Sequence, residues 1–208
     1  MKYIYAFFIG LFFTGSVIAE EKSPKVVILL GAPASGKGTQ AKFITKELNI
    51  PHISTGDLFR ENIKNKTKLG EEAQSYINQG KLVPDTLVLN MLFDRISQPD
   101  AQKGYLLDGF PRTVQQAQEY AKHEGDKVKP IVVYIEVSDS VLLERIAARE
   151  KIEGRADDSQ EIAKKRLETY KEQTVPLIAY YSKQGNLHTI QGEASIESIR
   201  KQIENIVK

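Results

Sequence analysis

The 208-residue sequence contains no cysteine, which excludes disulfide bridges and any zinc site built on thiolates. Histidine is scarce too. His52, His123 and His188 are the only three, and none stands in a catalytic motif. An excess of one charge is also missing: 29 basic residues face 27 acidic ones, a balance that carries no signature of a nucleic-acid binder. There is no internal repeat, low-complexity tract or long linker. A hydrophobic run fit to span a membrane is lacking as well, since the apolar stretch 3–13 is short and interrupted. That stretch follows Met1-Lys2 and precedes small residues near Ala19. Residues 1–19 therefore read as a secretory signal peptide, with an uncleaved anchor or a wrongly chosen start codon as the other readings. The folded body is expected from Lys25 onward, with no stable membrane span after cleavage.

What is present is a loop of unusual information content. Gly31-Ala32-Pro33-Ala34-Ser35-Gly36-Lys37-Gly38-Thr39 follows the apolar run Val26–Leu30 and precedes a helical pattern. Strand, glycine-rich loop and helix in that order make the context of a phosphate-binding loop, here stretched because Gly38 separates Lys37 from Thr39. Successive backbone N–H groups ring an anion, and the helix N-terminus adds positive potential. The Lys37 ammonium can reach outer phosphates, and the Thr39 hydroxyl can ligate Mg2+.

Short β-branched segments alternate with longer amphipathic ones along the chain. Strands are predicted over 25–30, 52–54, 105–108, 131–136 and 188–190. Helices are predicted over 38–48, 56–64, 69–79, 85–97, 114–122, 140–149, 159–183 and 196–207. The alternation predicts an α/β fold, a parallel sheet covered by helices on both faces, with ligands beyond the carboxyl ends of the strands. The all-helical pattern between the second and third strands suggests a small lobe. The polar stretch 150–158, nine residues with Gly154 inside, suggests a short flap.

Two further blocks end on predicted strands. Asp108-Gly109-Phe110-Pro111-Arg112-Thr113 offers a carboxylate suited to Mg2+ or its waters, or alternatively one that bonds its own turn. Arg112 adds a fork suited to phosphate. Thr113-x-x-Gln116 fits a capping box, a structural reading of Gln116 that stands beside a base-recognition one. Ser54-Thr55-Gly56-Asp57-Leu58-Phe59-Arg60 makes Thr55 an N-cap candidate and sets Arg60 one turn into a helix. Arg145 and Arg149, spaced i, i+4, share a helix face, with Arg155 and Arg166 beyond them. Asp158-x-x-Glu161 matches a second capping box. Singly, each arginine reads as a solvated ion-pair partner. As a group they suit the charge that develops in phosphoryl transfer.

Taken in order, these blocks resemble the adenylate kinases, of the nucleoside monophosphate kinase family, from about Lys25 to the C-terminus. Gly154-Arg155-Ala156-Asp157-Asp158 and Lys165–Tyr170 fit the same pattern. The resemblance implies a P-loop three-layer fold with a five-stranded parallel sheet, a helical AMP-binding lobe (54–83) and a lid of the short form (150–158). It implies reversible ATP + AMP to two ADP, Mg2+ with ATP, no zinc, the nucleotides ATP, AMP and ADP as partners with no nucleic acid, and a monomer. By similarity, Gly31–Thr39 hold ATP phosphates, Arg145 stacks on the ATP adenine and Gly192 offers it a backbone contact. Thr55, Arg60, Gly80, Lys81, Leu82, Val83, Gly109, Arg112 and Gln116 match AMP-binding positions. Arg149, Arg155 and Arg166 match the clamp on the transferring phosphate, and Asp108 the residue that orients Mg2+ waters. Thr55 and Gln116 favour AMP, and a UMP/CMP kinase or another small-molecule P-loop kinase is the alternative. Ala34 departs from the glycine frequent at its position and would be strained at positive φ. The leader implies export to the periplasm or outside, whereas the family usually works in the cytoplasm.

Overall fold

The computed structural model describes residues 23–208; the leader expected over 1–19 lies outside the described residues. Five strands, β1 (Lys25–Leu30), β2 (His52–Ser54), β3 (Gly104–Asp108), β4 (Ile131–Glu136) and β5 (Leu187–Gln191), form one parallel sheet. Their order is β2-β3-β1-β4-β5, with β1 at the centre. The expected α/β fold with a five-stranded parallel sheet is therefore borne out. β1 is continuously apolar because both of its faces are covered, as parallel strands require. Alternate residues sort onto two cores. Val26, Ile28 and Leu30 join Tyr105, Leu107 and Val132 on one face, and Val27 and Leu29 join Leu106, Val133, Ile135 and Ile190 on the other. Full burial of each such aliphatic side chain contributes about 1.5–3 kcal/mol.

The second core is sealed by α1 (Lys37–Leu48) and, from the far end of the chain, α9 (Ile196–Val207), through Ala41, Ile44, Ile199, Ile203 and Val207. The first is sealed by α4 (Asp85–Ile96), α5 (Val114–Glu124) and α8 (Pro176–Lys183), through Leu92, Tyr120 and Leu177. Two helices between β2 and α4, α2 (Thr55–Lys64) and α3 (Lys68–Ile77), pack on each other so closely that a Cβ on Gly70 would lie 2.3 Å from the Asn62 carbonyl carbon. Glycine is required there by the approach of two backbones, not by its own torsion angles.

Two helical expectations need correction. The helix predicted over 140–149 is longer, because α6 (Asp139–Glu153) carries on until Gly154 closes it in the left-handed conformation. The first four residues of the expected flap are thus helical. The helix predicted over 159–183 is interrupted. α7 (Gln160–Thr169) ends in a π-turn, Tyr170–Thr174, before α8 begins at Pro176. Pro176 has no N–H and its ring crowds the carbonyl four residues back, so the chain widens ahead of it and the Val175 N–H bonds the Tyr170 carbonyl instead. Among the described residues no helix is long and apolar enough to cross a membrane.

Candidate active site

The carboxyl ends of β1, β2 and β3 open into one basin of about 850 Å³. Its first wall is the loop after β1. Gly31 must be glycine: a Cβ there would lie 2.8 Å from the Ile135 carbonyl oxygen and 2.6 Å from Ser35 Oγ. Gly36, at φ 99°, turns the chain into α1 with no side-chain cap, so the first N–H groups of the helix face the basin unpaired by any side chain. Lys37 Nζ donates to the carbonyls of Gly31 (2.7 Å) and Ala32 (2.8 Å), which moors the ammonium on its own loop. Burial lowers its pKa to about 8, with the nearby Asp108 carboxylate pulling the other way. Ala34 does adopt a positive φ, 62°, the strained setting anticipated for it.

The second wall is built by strand register. β2 lies beside β3 with Ser54 opposite Asp108, and β1 lies on the other side with Leu29 opposite Asp108. Asp108 therefore emerges between the loop after β1 and the start of α2. Burial works against its charge, but a hydrogen bond donated by His52 Nε2 (3.3 Å) and the Lys37 charge outweigh it, and the carboxyl is held below the usual carboxylate range. His52 lines the basin too, a placement that the absence of any histidine motif did not foreshadow.

Thr55 is not the N-cap of α2. Ser54 takes that position and accepts the Asp57 N–H (3.2 Å), while the Thr55 hydroxyl donates to the Gly109 carbonyl at 2.8 Å. Arg60 pairs with Asp57 at the basin edge. Arg112 Nε donates to the same Gly109 carbonyl (2.8 Å), and burial, with Arg166 next, lowers its pKa to about 10, so it stays charged at neutral pH. Thr113 caps α5 by accepting the Gln116 N–H, which is half of the expected capping box. The other half differs: Gln116 Oε1 accepts the N–H of Arg112, not of Thr113, at 2.7 Å. Gly80, Lys81, Leu82 and Val83 form a strap along the same basin.

The third wall comes from α6 and α7. Arg149 forks onto Asp158 through two bonds of 2.6 and 2.7 Å, and Arg166 reaches Asp158 (2.7 Å) and Asp157 (2.9 Å). Two guanidinium groups outweigh burial and hold the Asp158 carboxyl below its ordinary pKa. Asp158 is thus not the cap of α7, as its spacing from Glu161 suggested; Ser159 stands at that position without a side-chain cap bond. Arg155 pairs with Glu153. Arg145 donates to the Gly192 carbonyl at 3.0 Å, which joins α6 to the end of β5.

All the expected site residues line this basin except Ala32, Ser35 and Gly192. Ala32 and Ser35 are the buried members of the loop, and Gly192 is reached through Arg145. Residues whose roles sequence reasoning missed are His52, Asp85, Asp157 and Asp158. Six arginines and Lys37, Lys42 and Lys81 face four carboxylates, Asp57, Asp108, Glu153 and Asp157, so the basin as a whole attracts anions.

Comparison with known proteins agrees with this geometry. The family description "Adenylate kinase" matches residues 29–186. The chain is similar to "Adenylate kinase 1" of Synechocystis sp., at 45% identity over 88% of this chain and 97% of that protein. It is 49% identical to an adenylate kinase of Corynebacterium aurimucosum (84% and 94% covered) and 41% identical to one of Clostridium novyi (88% and 98%). A match that takes in the phosphate loop, the Asp108 block and the arginine wall together places this chain in the adenylate kinase family.

Proposed function

We propose that the basin carries the reversible transfer of the terminal phosphoryl group of ATP to AMP, giving two ADP, by direct in-line displacement without a covalent enzyme intermediate. The observation that carries this reading is a single basin with a phosphate loop on one side, Arg60 and Arg112 on another, and Arg149, Arg155 and Arg166 on the third. The loop amides and Lys37 bind the ATP phosphates, with Arg145 and Gly192 at the adenine end. Arg60 and Arg112 grip the AMP phosphate, while Thr55, Gly109, Gln116 and the strap Gly80–Val83 surround its nucleoside. Arg149, Arg155 and Arg166 neutralise charge on the phosphoryl oxygens as it moves, the largest contribution expected for this reaction class. Closure of the α6–α7 turn over both nucleotides excludes water, and its reopening limits turnover.

Mg2+ bound to ATP supplies charge neutralisation of the phosphates. The ionised Asp108 carboxylate and the Thr39 hydroxyl fit it: both face the basin, and Asp108 Oδ2 lies 3.7 Å from where a Cβ on Gly38 would stand. Two oxygen donors suit an ion that keeps several waters and shares phosphate ligands.

A coupled assay with AMP, CMP, UMP and GMP as acceptors tests the reading. AMP is expected to dominate; a larger kcat/KM with CMP or UMP would move the chain to the pyrimidine kinases. The leader adds a proposal about place: an enzyme exported to the periplasm or beyond. N-terminal sequencing with cell fractionation tests it, and a cytoplasmic chain still beginning at Met1 would refute it.

A further inference from the structure

Asp85 is the first residue of α4, yet its carboxylate makes no cap for that helix, whose N-cap is Pro84. Both of its oxygens point across the chain. Oδ1 accepts from Gln116 Nε2 at 2.6 Å, and Oδ2 accepts from the Thr113 hydroxyl at 3.2 Å. The Thr113 hydroxyl in turn accepts the Gln116 N–H at 3.0 Å, and Gln116 Oε1 accepts the Arg112 N–H at 2.7 Å. Gln116 is 1% exposed, so all of this is settled in the wall of the basin.

A primary amide is nearly symmetric in shape, but its two ends are opposite in chemistry. Turned over, it would offer N–H where oxygen had been. Here both neighbours forbid that. An ionised carboxylate can only accept, so it demands the NH2 end; a backbone N–H can only donate, so it demands the oxygen. After these two bonds the side chain keeps one N–H and one oxygen lone pair for a ligand, in fixed positions. Adenine presents a ring acceptor next to an amino donor. A 6-oxopurine presents a ring N–H next to a carbonyl, the same shape with the polarity reversed.

We propose that Asp85 is a specificity-determining residue that acts through Gln116: it pins the amide in the one orientation that matches a 6-aminopurine and mismatches a 6-oxopurine. This rests on the reading of Gln116 as a base contact for the acceptor nucleotide. A buried polar group left facing a like partner discriminates far more strongly than a lost methylene does. Asp85 joins the acceptor strap to this reader, since it follows Val83 by two residues, so the strap and the base pocket share one anchor.

The test compares AMP with IMP, which differ at the 6-position and its neighbour but not in size, for wild type, Asp85→Asn and Gln116→Leu. Asparagine keeps the shape but can turn its own amide, so the demand for an NH2 partner is lost. The ratio of kcat/KM for AMP over IMP is expected to fall about tenfold in Asp85→Asn, the order of one charge-assisted hydrogen bond. KM for ATP should stay within about twofold and Tm close to wild type; a purely structural role would move Tm and both substrates together. If Gln116→Leu collapses the ratio while Asp85→Asn leaves it unchanged, the orienting role of Asp85 is wrong and the base contact stands. If Gln116→Leu leaves the ratio unchanged, the base contact itself is wrong.

Discussion

Lys37 answers to two opposed demands. In the proposed role it must be charged to hold phosphate, yet burial brings its pKa down to about 8. Phosphate binding favours the protonated amine, so ATP affinity should be full below about pH 8 and decline as pH rises past it. ATP titrations from pH 7 to 9.5 on wild type and Lys37→Arg measure this, and the arginine variant should lack the decline because guanidinium does not titrate in that range. Lys37→Met should lower turnover by roughly 10²–10³ with Tm nearly unchanged; near-normal turnover would mean that the loop is misassigned. Ala34 carries the opposite kind of cost. At φ 62° its Cβ is strained by about 1–2 kcal/mol, while glycine there would cost roughly 0.5–1 kcal/mol of chain entropy. Ala34→Gly should therefore stabilise by about 0.5 kcal/mol, read by urea unfolding. The shape of this loop was legible because the motif is local: nine consecutive residues make the turn proposed as the phosphate cradle. His52 was not, because its role depends on which strand lies beside it.

At the scale of elements, the junction between α6 and α7 holds the most buried charge. Asp158 has a fully buried side chain shared by Arg149 and Arg166, each mostly buried as well. Asp158→Asn leaves Arg149 without a carboxylate partner and Arg166 with Asp157 alone, and should cost about 3 kcal/mol, several degrees of Tm. The same pair predicts acid lability. The folded Asp158 pKa lies below its unfolded value of about 3.9, so its contribution is complete above that value and is lost as pH falls through the lower folded one. The acid limb of wild-type unfolding should be steeper than that of Asp158→Asn, measured by circular dichroism between pH 5 and 2. The spacing of Asp158 and Glu161 pointed to a helix cap; ion pairing with two arginines prevailed because a buried carboxylate is held more firmly by opposite charge than by a helix end. The π-turn before Pro176 was legible only in part. The proline was visible, but whether a helix breaks or widens depends on what it must reach. Here Thr169 donates to the Gly80 carbonyl and Thr174 to that of Arg112, so both ends of the turn are anchored to the site.

For the whole molecule, a parallel sheet with two separately sealed faces leaves the carboxyl edge as the place where loops meet, and the proposed chemistry lies there. On the proposed reading, Mg2+ would enter with the nucleotide, held by the oxygen donors Asp108 and Thr39. EDTA should therefore abolish ADP formation and leave Tm unchanged; a large fall in Tm would instead reveal a structural ion. By itself the sequence determined the strand–helix alternation, the phosphate loop and the set of arginines, since apolar periodicity and glycine spacing act over a few residues. Only the tertiary structure decided that Asp108 meets His52, that Asp158 binds two arginines, and that Asp85 and Arg112 fix one amide between them. Apart from the Arg112–Gln116 bond, four positions apart, those contacts join residues 8 to 56 positions apart, and the register of packed elements, which no local pattern encodes, sets their distances.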